Sequence, residues 1–227
     1  MDAEAIRKNV EYWSDRLREA SGDWGGVEIC AVTKTVDPAR VNAVWDAGIR
    51  TIGENRVQEL MGKLDALNPG FRVELIGRLQ TNKVKYIIDV VSRVQSLDRD
   101  ALAVEISRRA VARGKVMPVL VEVNIGGEAQ KGGVQPGELE AFVRRCARLE
   151  GLRVEGLMAV MPNAEDPETV RPLFREMRGH YDRLRELQIA NTDIHTLSMG
   201  MSHDCLVAAG EGATMVRLGR SLFGERA

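Results

Sequence analysis

A strict alternation constrains this chain more than any other feature: from residue 27 onward, short apolar runs of strand length take turns with segments of helical periodicity, eight times over. The runs are 27–33, 50–53, 72–77, 90–97, 116–123, 152–160, 192–198 and 213–218. Helices are expected from Asp37-Pro38, over 54–67, 79–88 and 98–111, from Pro136, from Pro167, over 201–209, and in a short last segment. Ahead of them Ile6, Val10, Trp13, Leu17 and Ala20 recur every three or four positions, so a further amphipathic helix covers the first twenty residues and ends near Gly22. Strand runs that are almost continuously apolar belong to a parallel sheet covered by helices. Eight such units close on themselves as a (β/α)8 TIM barrel, an α/β fold that here carries an additional N-terminal helix. The competing doubly wound sheet calls for a glycine-rich turn directly after the first strand, where this chain has Thr33-Lys34-Thr35. No linker, low-complexity tract or repeat interrupts the 227 residues, so one domain spanning 1–227 is expected.

Charge excludes some partners. Lys and Arg total 32 against 33 Asp and Glu, a net charge of -1, which gives no electrostatic reason to expect nucleic acid or an anionic membrane. The chain opens acidic and polar, has no apolar signal segment and contains no run of membrane-spanning length, so a cytoplasmic protein is expected. Cys30, Cys146 and Cys205 are an odd number and lie outside any metal-ligand spacing; Cys30 and Cys146 read as core residues, and neither disulfides nor zinc is expected. No additional apolar helix asks for a second subunit, and a monomer is expected.

In a barrel of this kind the site is built at the C-terminal ends of the strands. Lys34 stands there, after Val27-Glu28-Ile29-Cys30-Ala31-Val32-Thr33. A rigid strand would deliver its amine into the mouth, where desolvation favours the neutral form that attacks an aldehyde, although an ordinary lysine reaching solvent fits the position as well. Ser198-Met199-Gly200 after the seventh strand and Arg217-Leu218-Gly219-Arg220 after the eighth each lead into a helix, the pair of loops in which barrels hold phosphate. Either could equally be a serine-capped turn. Gly53-Glu54-Asn55 and Gly77-Arg78-Leu79-Gln80-Thr81-Asn82-Lys83 bring further polar groups to the rim. Adjacent His203, Asp204 and Cys205 point in different directions on a helix and make no triad, and Met158, Met161, Met199 and Met201 are expected to pack the mouth.

Taken together, Ala31 to Thr35, Gly53 to Glu59, Ile76 to Lys83, Val123-Asn124-Ile125 with Lys131, Gly156-Leu157-Met158, Leu197 to Ser202 with Asp204, and Arg217 to Gly224 resemble, in order and along nearly the whole chain, the YggS/PROSC family of pyridoxal 5′-phosphate (PLP) homeostasis proteins. The resemblance implies an alanine racemase N-terminal-domain-like barrel that takes PLP as its cofactor, linked as an imine to Lys34. It assigns Arg217 to the pyridine nitrogen and Ser198, Gly219 and Arg220 to the phosphate, the last two through backbone N–H groups, with Met199 and Asn55 also close to the cofactor. Three departures limit the transfer. Val73, Glu74 and Leu75 stand where many relatives carry an aromatic residue and a histidine, Val36 stands where a second lysine is frequent, and Arg220 replaces a common threonine.

An arginine at the pyridine nitrogen keeps its proton, so the ring remains a poor electron sink. The resemblance also supplies no tyrosine base from a second domain, and Tyr12, Tyr86 and Tyr181 all fall at helix positions. A carrier or buffer of PLP in vitamin B6 homeostasis, without efficient catalysis, is therefore expected, with apo PLP-dependent enzymes as recipients. The alternatives are a weak PLP-dependent amino-acid racemase and an aldolase-type barrel enzyme that uses Lys34 on a sugar phosphate. Lys131, in the glycine-rich stretch, is either a solvated loop residue or a second amine able to accept PLP during release.

Overall fold

The computed structural model describes residues 1–128 and 130–224; Ala129, inside the glycine-rich stretch, and residues 225–227, the end of the expected domain, lie outside the described residues. Eight parallel strands, β1 (Glu28–Val32), β2 (Thr51–Glu54), β3 (Arg72–Leu75), β4 (Arg93–Leu97), β5 (Met117–Val123), β6 (Leu152–Ala159), β7 (Thr192–Met201) and β8 (Met215–Leu218), pair in sequence order. β8 then pairs with β1, Arg217 opposite Cys30, and the sheet is a closed barrel. Each strand is followed by a helix: α2 (Pro38–Asp46), α3 (Val57–Lys63), α4 (Val84–Ile87), α5 (Asp100–Val111), α6 (Leu139–Cys146), α7 (Arg171–Glu186), α8 (Cys205–Gly210) and α9 (Arg220–Phe223), with α1 (Ala3–Ser21) ahead of the first strand.

Local chemistry sets the helix starts. The Asp2 carboxylate accepts the Ala5 N–H at 2.8 Å, and Asp37 accepts from Arg40 N–H with Pro38 in the first turn of α2. Ile6, Val10 and Leu17 bury one stripe of α1 against α2, α8 and α9, and Asn9 donates to Leu222 O at 3.0 Å, so the extra helix fastens the outside of the barrel where the chain closes it. Between strands and helices lies an apolar layer to which Val44, Leu60, Ile87, Leu102, Phe142 and Phe174 all contribute. Complete burial of one such side chain is worth roughly 1.5–3 kcal/mol.

Two expected elements differ from the structure. β7 runs on to Met201, which pairs with Arg217, and α8 begins only at Cys205, because Gly200 takes φ 90° and a register irregularity between Ser198 and Met201 keeps the strand going. The expected helix over 79–88 is shortened to α4 preceded by a single 3-10 turn, Thr81–Lys83, which leaves Leu79 and Gln80 extended along the rim.

Gly156 on β6 faces the backbone of β7 so closely that a Cβ would lie 1.8 Å from Thr196 O, and its φ of 153° disfavours a side chain. Gly156→Ala is expected to lower the urea midpoint, at a cost of about 3 kcal/mol or more. In Gly179→Ala, on the exposed face of α7, the added carbon meets nothing within 4 Å and the midpoint should hold or rise.

Candidate functional site

The barrel lumen is filled by charge and amide groups. Arg217 on β8 donates to Ser198 Oγ at 2.7 Å, Ser198 O at 2.9 Å and Ala159 O at 2.7 Å. The Ser198 hydroxyl in turn donates to Gln95 Oε1 at 2.7 Å, and Gln95 Nε2 donates to Glu74 at 2.6 Å. Glu74 pairs with Arg93 at 3.0 Å, and Arg93 also reaches Thr196 Oγ1 at 2.7 Å and Glu155 at 3.6 Å. Gln95 belongs to β4 and Ser198 to β7, strands that are not neighbours, so these contacts cross the lumen. Burial pulls the Arg217 guanidinium below its ordinary pKa and pushes the Glu74 carboxyl above its own, with Arg93 opposing the latter. Among the described residues Arg217 has no carboxylate partner; carbonyls and a hydroxyl solvate it.

Lys34 follows β1 on a loop held from outside the barrel by α3. The buried Lys63 ammonium donates to Thr33 O at 2.7 Å and pairs with Glu54 at 2.6 Å and Glu59 at 3.2 Å. Thr33 Oγ1 donates to Glu54, and the Thr35 N–H donates to Glu59. Both neighbours of Lys34 are thus fixed, and Thr35 is kept at φ 61°, a conformation uncommon for a β-branched residue. Desolvation raises the Glu54 pKa against the pull of Lys63.

Lys34 and Arg217 both line a cavity of about 330 Å³ at the C-terminal mouth, together with Gly219, Arg220, Ser202 and Lys131. Between the β7 and β8 loops at this mouth, Gly219 N–H and Ser221 N–H point at Ser202 Oγ over 3.4 and 3.3 Å. These are long bonds, so the two donors are weakly used. Met161 and Met201 line the cavity as expected, whereas Met158 and Met199 are buried and do not.

Of the residues expected at the site, Lys34, Arg217, Gly219 and Arg220 come together, and Ser198, Met199 and Asn55 do not join them. Ser198 is fully buried beneath Arg217, its hydroxyl committed to that arginine and to Gln95. Asn55 lies at the β2 end and lines a second cavity. The sequence reading passed over Ser202, Gln95, Glu74 and Lys63. Polar residues at every second position, as in Arg93-Val94-Gln95, are the signal that marks the lumen side, and the apolar alternates mask it.

The family model described as "Alanine racemase, N-terminal domain" matches residues 1–227. A pyridoxal phosphate homeostasis protein of Aquifex aeolicus is 46% identical over 218 residues, covering 93% of this chain and 94% of its own. PipY of Synechococcus elongatus, solved with PLP bound, superposes with a TM-score of 0.85 at 30% identity, covering 96% of this chain and 100% of that one. The alanine racemase of Corynebacterium glutamicum, at 16% identity and a TM-score of 0.73, shares the fold over 99% of this chain and 62% of its own.

The lumen network makes a pH-dependent prediction. Because the folded-state pKa of Glu74 is raised, the folded protein binds more protons than the unfolded chain between the ordinary value of 4.5 and the raised one. The stability contributed by Glu74 is therefore fullest below that window and declines as pH rises through it. In urea titrations across this range, the advantage of the wild type over Glu74→Gln should shrink with rising pH; a growing advantage would contradict the burial argument.

Proposed function

Since the chain belongs to the pyridoxal phosphate homeostasis proteins within the alanine racemase N-terminal-domain family, we propose that it binds PLP at the mouth of the barrel and acts in PLP homeostasis as a carrier or buffer. The observation that carries this reading is the meeting of the Lys34 amine and the buried Arg217 guanidinium in a single cavity that Gly219 and Ser202 also line, with the N–H groups of Gly219 and Ser221 turned toward the Ser202 hydroxyl. That donor set fits the cofactor: an amine for the aldehyde, a permanent cation for the ring nitrogen and backbone donors for the phosphate. The volume of about 330 Å³ is of small-molecule size. Bound PLP supplies a reactive aldehyde and a conjugated ring.

This chain's residues bind and orient. Lys34 is the attachment point, presented from a backbone that Lys63 and Glu59 hold on both sides. Arg217 keeps the ring nitrogen unprotonated, which disfavours carbanion chemistry. Ser198 acts beneath Arg217, fixing its guanidinium instead of touching phosphate. Three further titratable side chains around the cavity help to build its walls: Asp204 accepts the Met201 N–H at 2.6 Å, His203 contacts Glu165 O at 3.0 Å, and Lys131 pairs with Glu128 and donates to Met161 O at 3.2 Å. A monomeric holder that passes PLP to apo enzymes is consistent with a cavity open at the rim, and the racemase and aldolase alternatives gain no support from groups so engaged.

Two measurements test the reading. Borohydride reduction of the PLP-loaded protein followed by peptide mapping should place the phosphopyridoxyl group on Lys34, and Lys34→Ala should lose the visible absorbance of the imine with an unchanged thermal transition; a label mainly on another lysine overturns the assignment. PLP should bind far more tightly than pyridoxal, and Ser198→Ala should weaken both by a similar amount, about 1 kcal/mol, because the hydroxyl acts through Arg217. A loss confined to PLP would return Ser198 to the phosphate.

A further inference from the structure

A second cavity, of about 790 Å³, opens on the same rim beyond Lys34, between the ends of β2, β3 and β4. Its cations are Arg56, Arg78, Lys83 and Arg99, and no acidic side chain lines it. In a chain of net charge -1 this is a local concentration of positive charge. Arg99 is fixed by Asp98 and by bonds to Leu79 O at 2.7 Å and Thr81 Oγ1 at 3.4 Å. Among the described residues Arg56, Arg78 and Lys83 form no ion pair or side-chain hydrogen bond, and Lys83 only approaches the Tyr86 ring, 5.6 Å from its centre. The Glu122 carboxyl, on which Arg78 acts only through space, is held above its ordinary pKa by burial and by Asp98 and makes no ion pair with Arg78.

The cavity is built rather than left over. Gly77 packs against the Asn55 backbone so tightly that a Cβ would lie 2.4 Å from Asn55 O, and Ser96 Oγ donates to Gly77 O at 2.7 Å. Asn55 Oδ1, enclosed at this wall, has no hydrogen-bond partner. An enclosed acceptor without a donor calls for a ligand hydroxyl or N–H, and the unpaired guanidiniums and ammonium call for an anion. Most of the remaining lining is amide and hydroxyl, so the wall offers polar contacts and little apolar platform.

We propose that this cavity is a second, non-covalent site for a hydroxyl-bearing phosphate monoester of the size of a B6 phosphate. Arg78 and Lys83 hold the phosphate with Arg56 and Arg99 beside them, and Asn55 accepts the ligand's hydroxyl. The choice of a B6 phosphate rests on the function proposed above, whereas the anion preference rests on the cations alone. On the same rim as the cavity that Lys34 lines, such a site would hold PLP in free form before its capture by that amine.

Isothermal titration calorimetry with pyridoxine 5′-phosphate, which has no aldehyde, tests the site on protein whose Lys34 has been filled by borohydride reduction of bound PLP. The filled protein should still bind a single equivalent saturably, with inorganic phosphate competing at higher concentration. Arg78→Ala/Lys83→Ala should weaken that binding about tenfold or more while labelling of Lys34 is unchanged. Absence of saturable binding, or equal binding by the double variant, overturns the site. Should reduction leave Lys34 unlabelled, the carrier reading fails separately, and the comparison moves to untreated protein: the double variant must lose one binding equivalent relative to wild type, and an equal stoichiometry overturns the site there too. Inorganic phosphate binding as tightly as the ester would overturn the role given to Asn55 and the ester itself.

Discussion

A guanidinium buried inside a barrel has to be solvated by the barrel, and the placing of Arg217 governs much of what surrounds it. Moving such an ion out of water costs several kcal/mol unless hydrogen bonds replace the lost hydration. Here Ser198 O, Ser198 Oγ and Ala159 O do so, which ties the end of β6 and the middle of β7 to β8. The serine hydroxyl can accept from Arg217 only by giving its own proton elsewhere, and Gln95 takes it. Gln95 must then dispose of its amide protons, which go to Glu74 and, weakly, to the Met215 sulfur at 3.3 Å. Glu74 is left needing a cation and has Arg93. Each bond follows from the one before it, from the mouth down to the N-terminal end of the lumen.

That chain holds the cationic side of the mouth, and a separate one holds the amine side. Lys63, Glu54 and Glu59 lie outside the sheet, yet they set the backbone on either side of Lys34 through Thr33 and Thr35. An exposed ion pair of this kind would contribute little. Lys63 is 8% exposed and Glu54 fully buried, so breaking either partner would strand a charge in the layer between β2 and α3. The two reactive features of the cavity are therefore positioned by independent polar networks, one inside the barrel and one behind it. Lys131 stands apart from both networks, its ammonium paired with Glu128 and donating to Met161 O.

The fold was legible because its signal is periodic: eight strand runs and eight intervening helices appear in the order in which they pair. Lys34 stands out in the sequence because it follows an apolar strand run at the end where barrels place their sites, whereas Arg217, inside the run 213–218, is singled out by the resemblance alone. Ser198 lies deeper than the sequence implies for a geometric reason. A glycine turn was expected to end the strand near Ser198, but the strand continues through a register irregularity to Met201, so Ser198 lies one layer below the mouth and Ser202 stands between the loops instead. Glu74 was passed over because it occupies a position where a resemblance offered a histidine, and only the lumen geometry shows what a carboxylate does there.

Ser202 shows how such a site can stay folded without its ligand. Two N–H groups at the start of α9 need an acceptor, and the Ser202 hydroxyl gives them one at 3.4 and 3.3 Å. Bonds of that length repay little of the donors' desolvation, so on the proposed reading the hydroxyl would yield to a phosphate oxygen, whose charge would make the same bonds shorter and stronger. The stronger acceptor is favoured over the serine, and the serine is favoured over an unsatisfied pair. The proposed carrier role would draw on that ordering, because the donors would be satisfied in either state and release would leave no orphaned group behind.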